Sequence, residues 1–476
     1  MQKTKILCTM GPSCESLPVL KEMIRSGMNI ARLNMAHGEL EEHSERIRKV
    51  RAASKEMNVS VPVLLDIKGP EIRIGKFKES AIELSINDEI ILTTEQVLGD
   101  SKRIPVNYED MPNVLKPGSC ILIDDGLIEL TVNYISGSEI NCKVLNGGTL
   151  KPRKGVNLPG VKTTLPGITE RDVRHIMFGL ENGIDIIAVS FVRKVEDILE
   201  VRRILKERNA EHIQIISKIE NEEGVANLDG IIEVSDGIMV ARGDLGVEIQ
   251  VEEVPLVQRE IIVKCNTVGK PVIVATHMLE SMQINPRPTR AEVSDVSTAV
   301  LQGADVLMLS GETAAGKYPV ESVRTMATVA EKAETSIDYS EQFALRKIMK
   351  SANVTEIISQ AAASSSLELN AKAIITPTES GFTARMVSKY RPKAPIIAIT
   401  RHPHVMMKLC LMWGVIPVMG SEVRSTDEMF ASAIENSCKT GLLKDGDFVV
   451  ISAGVPIGKS GSTNLIKIQQ ISSRQA

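Results

Sequence analysis

The chain reads as an α/β protein: a (β/α)8 barrel, a small all-β domain inserted into it, and a separate α/β domain after it. Three observations predict this. Eight short β-branched or apolar runs are each followed by a polar or glycine-marked turn and an amphipathic segment: KILCT from Lys5, IARLNM from Ile30, VPVLLDI from Val61, IDIIAVSF from Ile184, IQIISKI from Ile213, DGIMVA from Asp236, KPVIVAT from Lys270 and ADVLMLS from Ala304. That alternation belongs to a parallel sheet, and eight strands close a TIM-type barrel. The spacing breaks once, over residues 68–183, where AIELSINDEIILTT, GSCILIDDGLIELTVNYISG and SEINCKVLNGG alternate like short strands between Gly, Asn and Asp. After about residue 340 the βα alternation restarts with AKAIITP, APIIAIT, GVIPVM and DFVVISAG.

These breaks place the barrel in residues 1–71 and 158–340, a β-barrel-like lid in 72–157 and a C-terminal α/β regulatory domain in 341–476. An insert after the third barrel strand sits at the face where strand C-termini point, so it is placed to act as a lid. No low-complexity linker precedes the last domain, which is therefore expected to pack on the barrel.

Composition narrows the function classes. A chain of 476 residues exceeds one ordinary core. Its 43% hydrophobic content fits a compact soluble protein, and 3% aromatic content leaves little surface for stacking bases. A net charge of −4 with no long basic run argues against a nucleic-acid partner. No stretch reaches the roughly 18 apolar residues of a membrane span. The apolar run within MQKTKILCTMGPS is too short for a signal peptide. Seven scattered cysteines without a C-x-x-C pair read as reduced thiols in the cytoplasm.

The chemistry collects where the barrel runs end. The segment SDGIMVARGDLGVEI, residues 235–249, drives a strand into a tight turn at Arg242, Gly243 and Asp244. An exposed Asp beside bare backbone N–H groups can hold a divalent cation and an anion together. The other run ends carry Arg32 and Asn34, Asp66 and Lys68, Lys218 and Glu220, Thr276, and Ser310 and Glu312. One such residue alone reads as a turn or cap. Together they describe a site for a highly charged anion with metal ions.

Specific stretches carry a family resemblance. TMGPS (9–13), GMNIARLN (27–34), LLDIKGPEIR (64–73), KGVNLPG (154–160), SKIENEEGV (217–225), DGIMVARGDLGVE (236–248), KPVIVAT and MLESM (270–282), PRPTRAEVSDV (286–296), MLSGETAAGKYPVE (308–321) and SKYRPKAPIIAITR (388–401) resemble pyruvate kinase in order and over nearly the whole chain. The resemblance implies a glycolytic phosphotransferase that converts phosphoenolpyruvate and ADP to pyruvate and ATP. It implies Mg²⁺ (or Mn²⁺) on Glu220 and Asp244, and Lys218 as the cation that stabilises the phosphoryl group in flight. Arg32 would grip that phosphoryl, and the N–H groups of Gly243 and Asp244 would receive the substrate carboxylate. Thr276 would lie beside the enolate carbon, with Ser310 in the proton-relay region. Asn34, His37, Arg73 and Lys154 would face the nucleotide phosphates. K⁺ would sit on Asn34, Asp66 and the Ile67 carbonyl, and the assembly would be a homotetramer.

The chain departs from the family in places. LNMAHG puts Ala36 where a serine hydroxyl helps bind K⁺, which weakens that site. Ile67 and Ile74 replace threonines, whereas Glu71 is the residue of K⁺-dependent members. His277 stands where glutamine is usual and adds a titratable group beside Thr276. The loop Thr378, Glu379, Ser380, Gly381, Phe382, Thr383 resembles an effector loop, with Thr378, Ser380 and Thr383 able to hold one phosphate. The Glu379 carboxylate is expected to repel a second phosphate, which favours AMP or a sugar monophosphate over a sugar bisphosphate. Residues 311–317 fit G-x-x-x-x-G-K, but Tyr318 follows where Ser or Thr would hold Mg²⁺, so a P-loop is rejected. Two other classes remain: a lyase forming a Schiff base on Lys218, and a catalytically weak metabolite-binding protein.

Overall fold

The computed structural model describes residues 2–347, 353–458 and 461–472. All eight expected runs become strands of one closed parallel barrel. In chain order these are Lys5–Thr9, Ile30–Asn34, Val63–Ile67, Ile186–Val189, Gln214–Ile219, Gly237–Ala241, Val272–Ala275 and Val306–Leu309. Chain neighbours pair all the way round, and Lys5–Thr9 closes the ring against Val306–Leu309.

The two-residue period of a strand explains how the barrel builds its mouth. Ile30, Leu64, Ile186, Ala188, Ile216, Met239, Ile273, Val306 and Met308 form one buried apolar cluster inside the ring. Two positions further along the same strand faces stand Arg32, Asp66, Ser190, Lys218 and Ser310. Register sets Asn34 beside Asp66, and Asp66 beside Ala188. The barrel is thus apolar below and charged at its C-terminal rim.

Short local devices hold the loops of that rim. The helix Glu170–Glu181 begins with a capping box between Thr169 and Asp172. The second Asp172 oxygen accepts the Gly69 N–H at 3.1 Å, tying this helix to the loop after the third strand.

The insert is a seven-stranded sheet with a separate two-stranded ladder. Its first and last strands, Ile72–Arg73 and Gly155–Asn157, pair antiparallel, so the two crossings to the barrel form one stem. It has its own core, including Ile90, Leu92, Ile104, Ile121, Leu130 and Val144.

In the C-terminal domain, Val415–Met419, Ile396–Thr400, Ala373–Pro377 and Phe448–Ala453 are parallel neighbours. A fifth strand, Leu465–Gln470, runs antiparallel on the edge. The sequence reading did not include it. A helix over Tyr339–Lys347 runs across residue 340. The domain packs on the barrel: Leu411 enters the apolar cluster inside the barrel, and Arg391 pairs with Asp305 at 2.7 Å, both buried.

Candidate active site

Lys218 lies at the centre of the rim. Its ammonium reaches Ser190 Oγ at 2.7 Å, Glu220 Oε1 at 3.0 Å and Asp66 Oδ1 at 3.3 Å. Burial opposes the Lys218 charge, yet Asp66 and Glu220 outweigh it and hold the ammonium protonated above its ordinary range. Arg32 donates from Nε to Asp66 Oδ2 at 2.7 Å and from Nη1 to Thr9 Oγ1 at 2.8 Å. Burial alone would raise Asp66, but Lys218 and Arg32 together hold it below the usual carboxylate range. One carboxylate therefore fixes both cations that the sequence singled out.

Glu220 is 1% exposed, and burial pushes its carboxyl up to about 7 despite the pull of Lys218. Its other oxygen accepts the Phe191 N–H at 2.6 Å. Phe191 has φ 55°, a left-handed conformation uncommon for an aromatic residue, which aims that N–H at the carboxylate. Burial also raises Asp244; its charge helps to raise Glu220, while a side-chain hydrogen bond with Glu220 lowers Asp244 in return.

The segment read as a tight turn is instead the first turn of a short helix, Arg242–Glu248, and Asp244 is partly buried rather than exposed. A helix forms because backbone carbonyls behind Gly243 find i+4 partners, such as Leu245 with Ile249 at 3.0 Å. The Gly243 N–H is not bare, since it donates to Thr276 Oγ1 at 2.9 Å. Arg242 turns away from the rim. It donates to the carbonyls of Ala275 and Thr276 at 3.2 and 2.7 Å and pairs with Asp295 at 2.7 Å. It thereby braces Thr276 and His277, which hold φ of 68° and 56°. The His277 side chain is exposed. Ser310 Oγ is buried without a hydrogen-bond partner among the described residues, while its N–H donates to Glu312 Oε2 at 2.7 Å.

No group of three or more His, Cys, Asp or Glu forms a metal cage among the described residues. Glu220 and Asp244 offer two carboxylates. That donor set fits Mg²⁺, which keeps waters and takes substrate oxygens for its remaining positions. Asn34 Oδ1 accepts the Ala36 N–H at 3.1 Å, and the Ala36 methyl supplies no oxygen. Asp66 and the buried Ile67 complete the set read as a K⁺ site.

A cleft of about 620 Å³ opens between the rim and the insert. It gathers His37, Arg73, Lys154 and Asp244, while Asn34 is not part of its wall. Arg73 is held by Glu71 and by the Arg153 carbonyl, both at 2.6 Å, and Lys154 by Asp124 at 2.7 Å. Lys68 pairs with Glu71 at 2.8 Å. Asn157 of the stem donates to Glu248 Oε1 at 2.7 Å, linking the insert to the helix that carries Asp244.

The 311–317 segment is no phosphate cradle. The Gly316 and Lys317 N–H groups donate to the Gly311 and Gln283 carbonyls, both at 2.8 Å.

A second cavity of about 230 Å³ lies in the C-terminal domain and includes Thr378, Ser380 and Thr383. Thr378 Oγ1 accepts the Gly381 N–H at 3.0 Å, and Thr383 is buried against Thr463 at 2.8 Å. The expectation for Glu379 is corrected here. Its carboxylate is bound by His402 at 2.7 Å and Arg401 at 3.3 Å, so it is not an isolated negative charge facing a ligand. Arg401 itself lines the cavity.

Sequence reasoning missed Ser190, Thr9 and the Phe191 N–H. Ser190 stood in plain view at the end of IDIIAVSF, on the inward parity of its strand.

Comparison with known proteins places this arrangement. The family model described as "Pyruvate kinase, barrel domain" matches residues 1–323, and "Pyruvate kinase, alpha/beta domain" matches 356–469. A pyruvate kinase of Bacillus licheniformis is 52% identical over 470 residues, 98% of this chain and 80% of that protein. One from Clostridium acetobutylicum is 48% identical over 472 residues, 99% of this chain and 100% of that protein. The crystal structure of a pyruvate kinase from Cryptosporidium parvum matches with a TM-score of 0.94 at 42% identity, covering 98% of this chain and 96% of that one. With a closed barrel, the charged rim and both domains accounted for, the chain belongs to the pyruvate kinase family of phosphotransferases.

Proposed function

We propose that the chain transfers the phosphoryl group of phosphoenolpyruvate to ADP, giving pyruvate and ATP in glycolysis, with the rim around Lys218 as its active site. The supporting observation is the buried network in which Asp66 fixes Lys218 and Arg32 together, beside a carboxylate pair and beneath the cleft of Arg73 and Lys154. Phosphoryl transfer asks the protein for positioning and charge stabilisation rather than covalent chemistry. Lys218 and Arg32 supply fixed positive charge where the phosphoryl passes. His37, Arg73 and Lys154 receive the nucleotide phosphates, and Asn34, read as a further nucleotide contact, lies outside the cleft wall.

Glu220 and Asp244 would hold Mg²⁺ (or Mn²⁺), which supplies charge neutralisation on substrate oxygens. Asn34, Asp66 and the Ile67 carbonyl would hold K⁺ through a site lacking the Ala36 oxygen. The first turn at Gly243 and Asp244 receives the substrate carboxylate once the Gly243 N–H leaves Thr276. Thr276 borders the carbon that takes the proton, and the unpartnered Ser310 hydroxyl is available to relay it. The same reading includes a homotetramer, a cytoplasmic location and a phosphate-bearing effector at Thr378, Ser380 and Thr383.

The Schiff-base alternative needs a neutral amine, whereas two carboxylates keep Lys218 charged. The test is ADP-dependent pyruvate formation by the full chain, with Asp244→Ala alongside. Turnover in the parent, with weakened Mn²⁺ titration in the variant, supports the reading. No ADP-dependent pyruvate from the parent would overturn it.

A further inference from the structure

We propose that Ser190 is a positioning residue for Lys218, holding the ammonium in place through the transfer step. This rests on the function proposed above. The lysine has three N–H donors, and each has one acceptor: Ser190 Oγ at 2.7 Å, Glu220 Oε1 at 3.0 Å and Asp66 Oδ1 at 3.3 Å. The shortest contact is to the neutral hydroxyl. Ser190 donates its O–H to Asp66 Oδ1 at 3.3 Å, which leaves its lone pairs facing the ammonium.

The arrangement has a consequence for the transfer. A cation that stabilises a moving phosphoryl must free one N–H for it, and the Glu220 bond would be the one released if that carboxylate held a divalent cation. The ammonium then keeps Asp66 and Ser190. Were Ser190 lost, a single carboxylate would set its position and draw it toward Asp66. A neutral acceptor fixes direction without pulling the charge out of place.

Ser190 is itself held rigidly. It is 3% exposed at the end of the strand Ile186–Val189. Gly69, at φ +72°, packs so closely that a Cβ there would meet the Ser190 carbonyl at 2.9 Å and the Ser190 Cβ at 3.2 Å. The next residue, Phe191, donates to Glu220 Oε2 at 2.6 Å. Two successive residues thus locate both the ammonium and its carboxylate neighbour.

The test compares the parent, Ser190→Ala, Ser190→Cys, Lys218→Ala and the Ser190→Ala/Lys218→Ala double variant of the full chain. Steady-state kinetics, Mn²⁺ titration and thermal midpoints are measured on each. Ser190→Ala should lower kcat by roughly tenfold to a hundredfold, the range for a hydrogen bond to a charged group. The KM for phosphoenolpyruvate should move less than about threefold, since the loss falls on the transition state. Mn²⁺ affinity and the midpoint should stay close to the parent. Ser190→Cys, with a weaker acceptor, should lie between Ser190→Ala and the parent. In the Lys218→Ala background the Ser190→Ala change should cost almost nothing, because its effect runs through the lysine. An equal loss in both backgrounds would overturn the inference, as would Ser190→Cys falling below Ser190→Ala or a kcat loss tracking the Mn²⁺ affinity. A parent without ADP-dependent turnover would instead overturn the proposed function.

Discussion

The buried Glu220 carboxyl gives a stability signature of known sign. Burial lifts it from the ordinary 4.5 to about 7 in the folded chain, while the unfolded chain titrates near 4.5. The folded state therefore binds this proton more tightly. The stabilisation is fully present below pH 4.5 and is lost as pH rises from 4.5 through 7. A difference of about 2.5 pH units corresponds to about 3 kcal/mol at about 1.4 kcal/mol per unit. The perturbation is Glu220→Gln, which keeps the shape and removes the titration. Metal-free parent and variant are unfolded in urea at pH 5, 6, 7 and 8, with fluorescence from the single tryptophan, Trp413, as the probe. Relative to the parent, the variant should gain about 2 to 3 kcal/mol between pH 5 and pH 8, since part of the total is already lost at pH 5. Added Mg²⁺ should close much of that gap by stabilising the ionised carboxylate of the parent. A constant difference between the two proteins across that window would refute the reasoning.

Other outcomes follow from the same structure. Arg391→Ala leaves Asp305 buried without its ion-pair partner and should cost about 3 to 5 kcal/mol in the urea transition; a loss below about 1 kcal/mol would contradict the assigned pair. Ala36→Ser adds an oxygen to the proposed monovalent site and should lower the K⁺ concentration for half-maximal stimulation, read in KCl against a tetraalkylammonium salt at matched ionic strength. Identical responses of variant and parent would place Ala36 outside a cation site. Arg401→Ala should remove any activation by AMP or a sugar phosphate without lowering maximal turnover, because Arg401 lines the cavity proposed for the effector. Activation that survives the change would show the phosphate to bind elsewhere.

The barrel was legible because its signal is local. Each run alternates inward and outward with period two, so the same parity that buries Ile30 and Leu64 brings Arg32 and Asp66 to the rim. The candidate ligands Glu220 and Asp244 were legible by residue type at strand ends. What sequence could not supply was the partner of each group. Ser190 meets Lys218 28 residues away and Asp66 on the adjacent barrel strand, and Glu379 changes character because of Arg401 and His402 on the next strand's loop. Arg242 counted as one more cation at the mouth until its guanidinium was found on the carbonyls behind Thr276. The edge strand Leu465–Gln470 escaped because its alternate residues are largely solvent-facing, so LIKIQQ carries no clean inward face.

The central claim is that Lys218, held between Ser190, Asp66 and Glu220, stabilises the phosphoryl group in transit. Lys218→Ala tests it most directly, with kcat for ADP-dependent pyruvate formation and Mn²⁺ affinity measured on the same preparation. The account predicts a kcat loss of roughly two to three decades, the scale of removing one preorganised electrostatic stabiliser, with Mn²⁺ binding retained. Turnover within about threefold of the parent would contradict it.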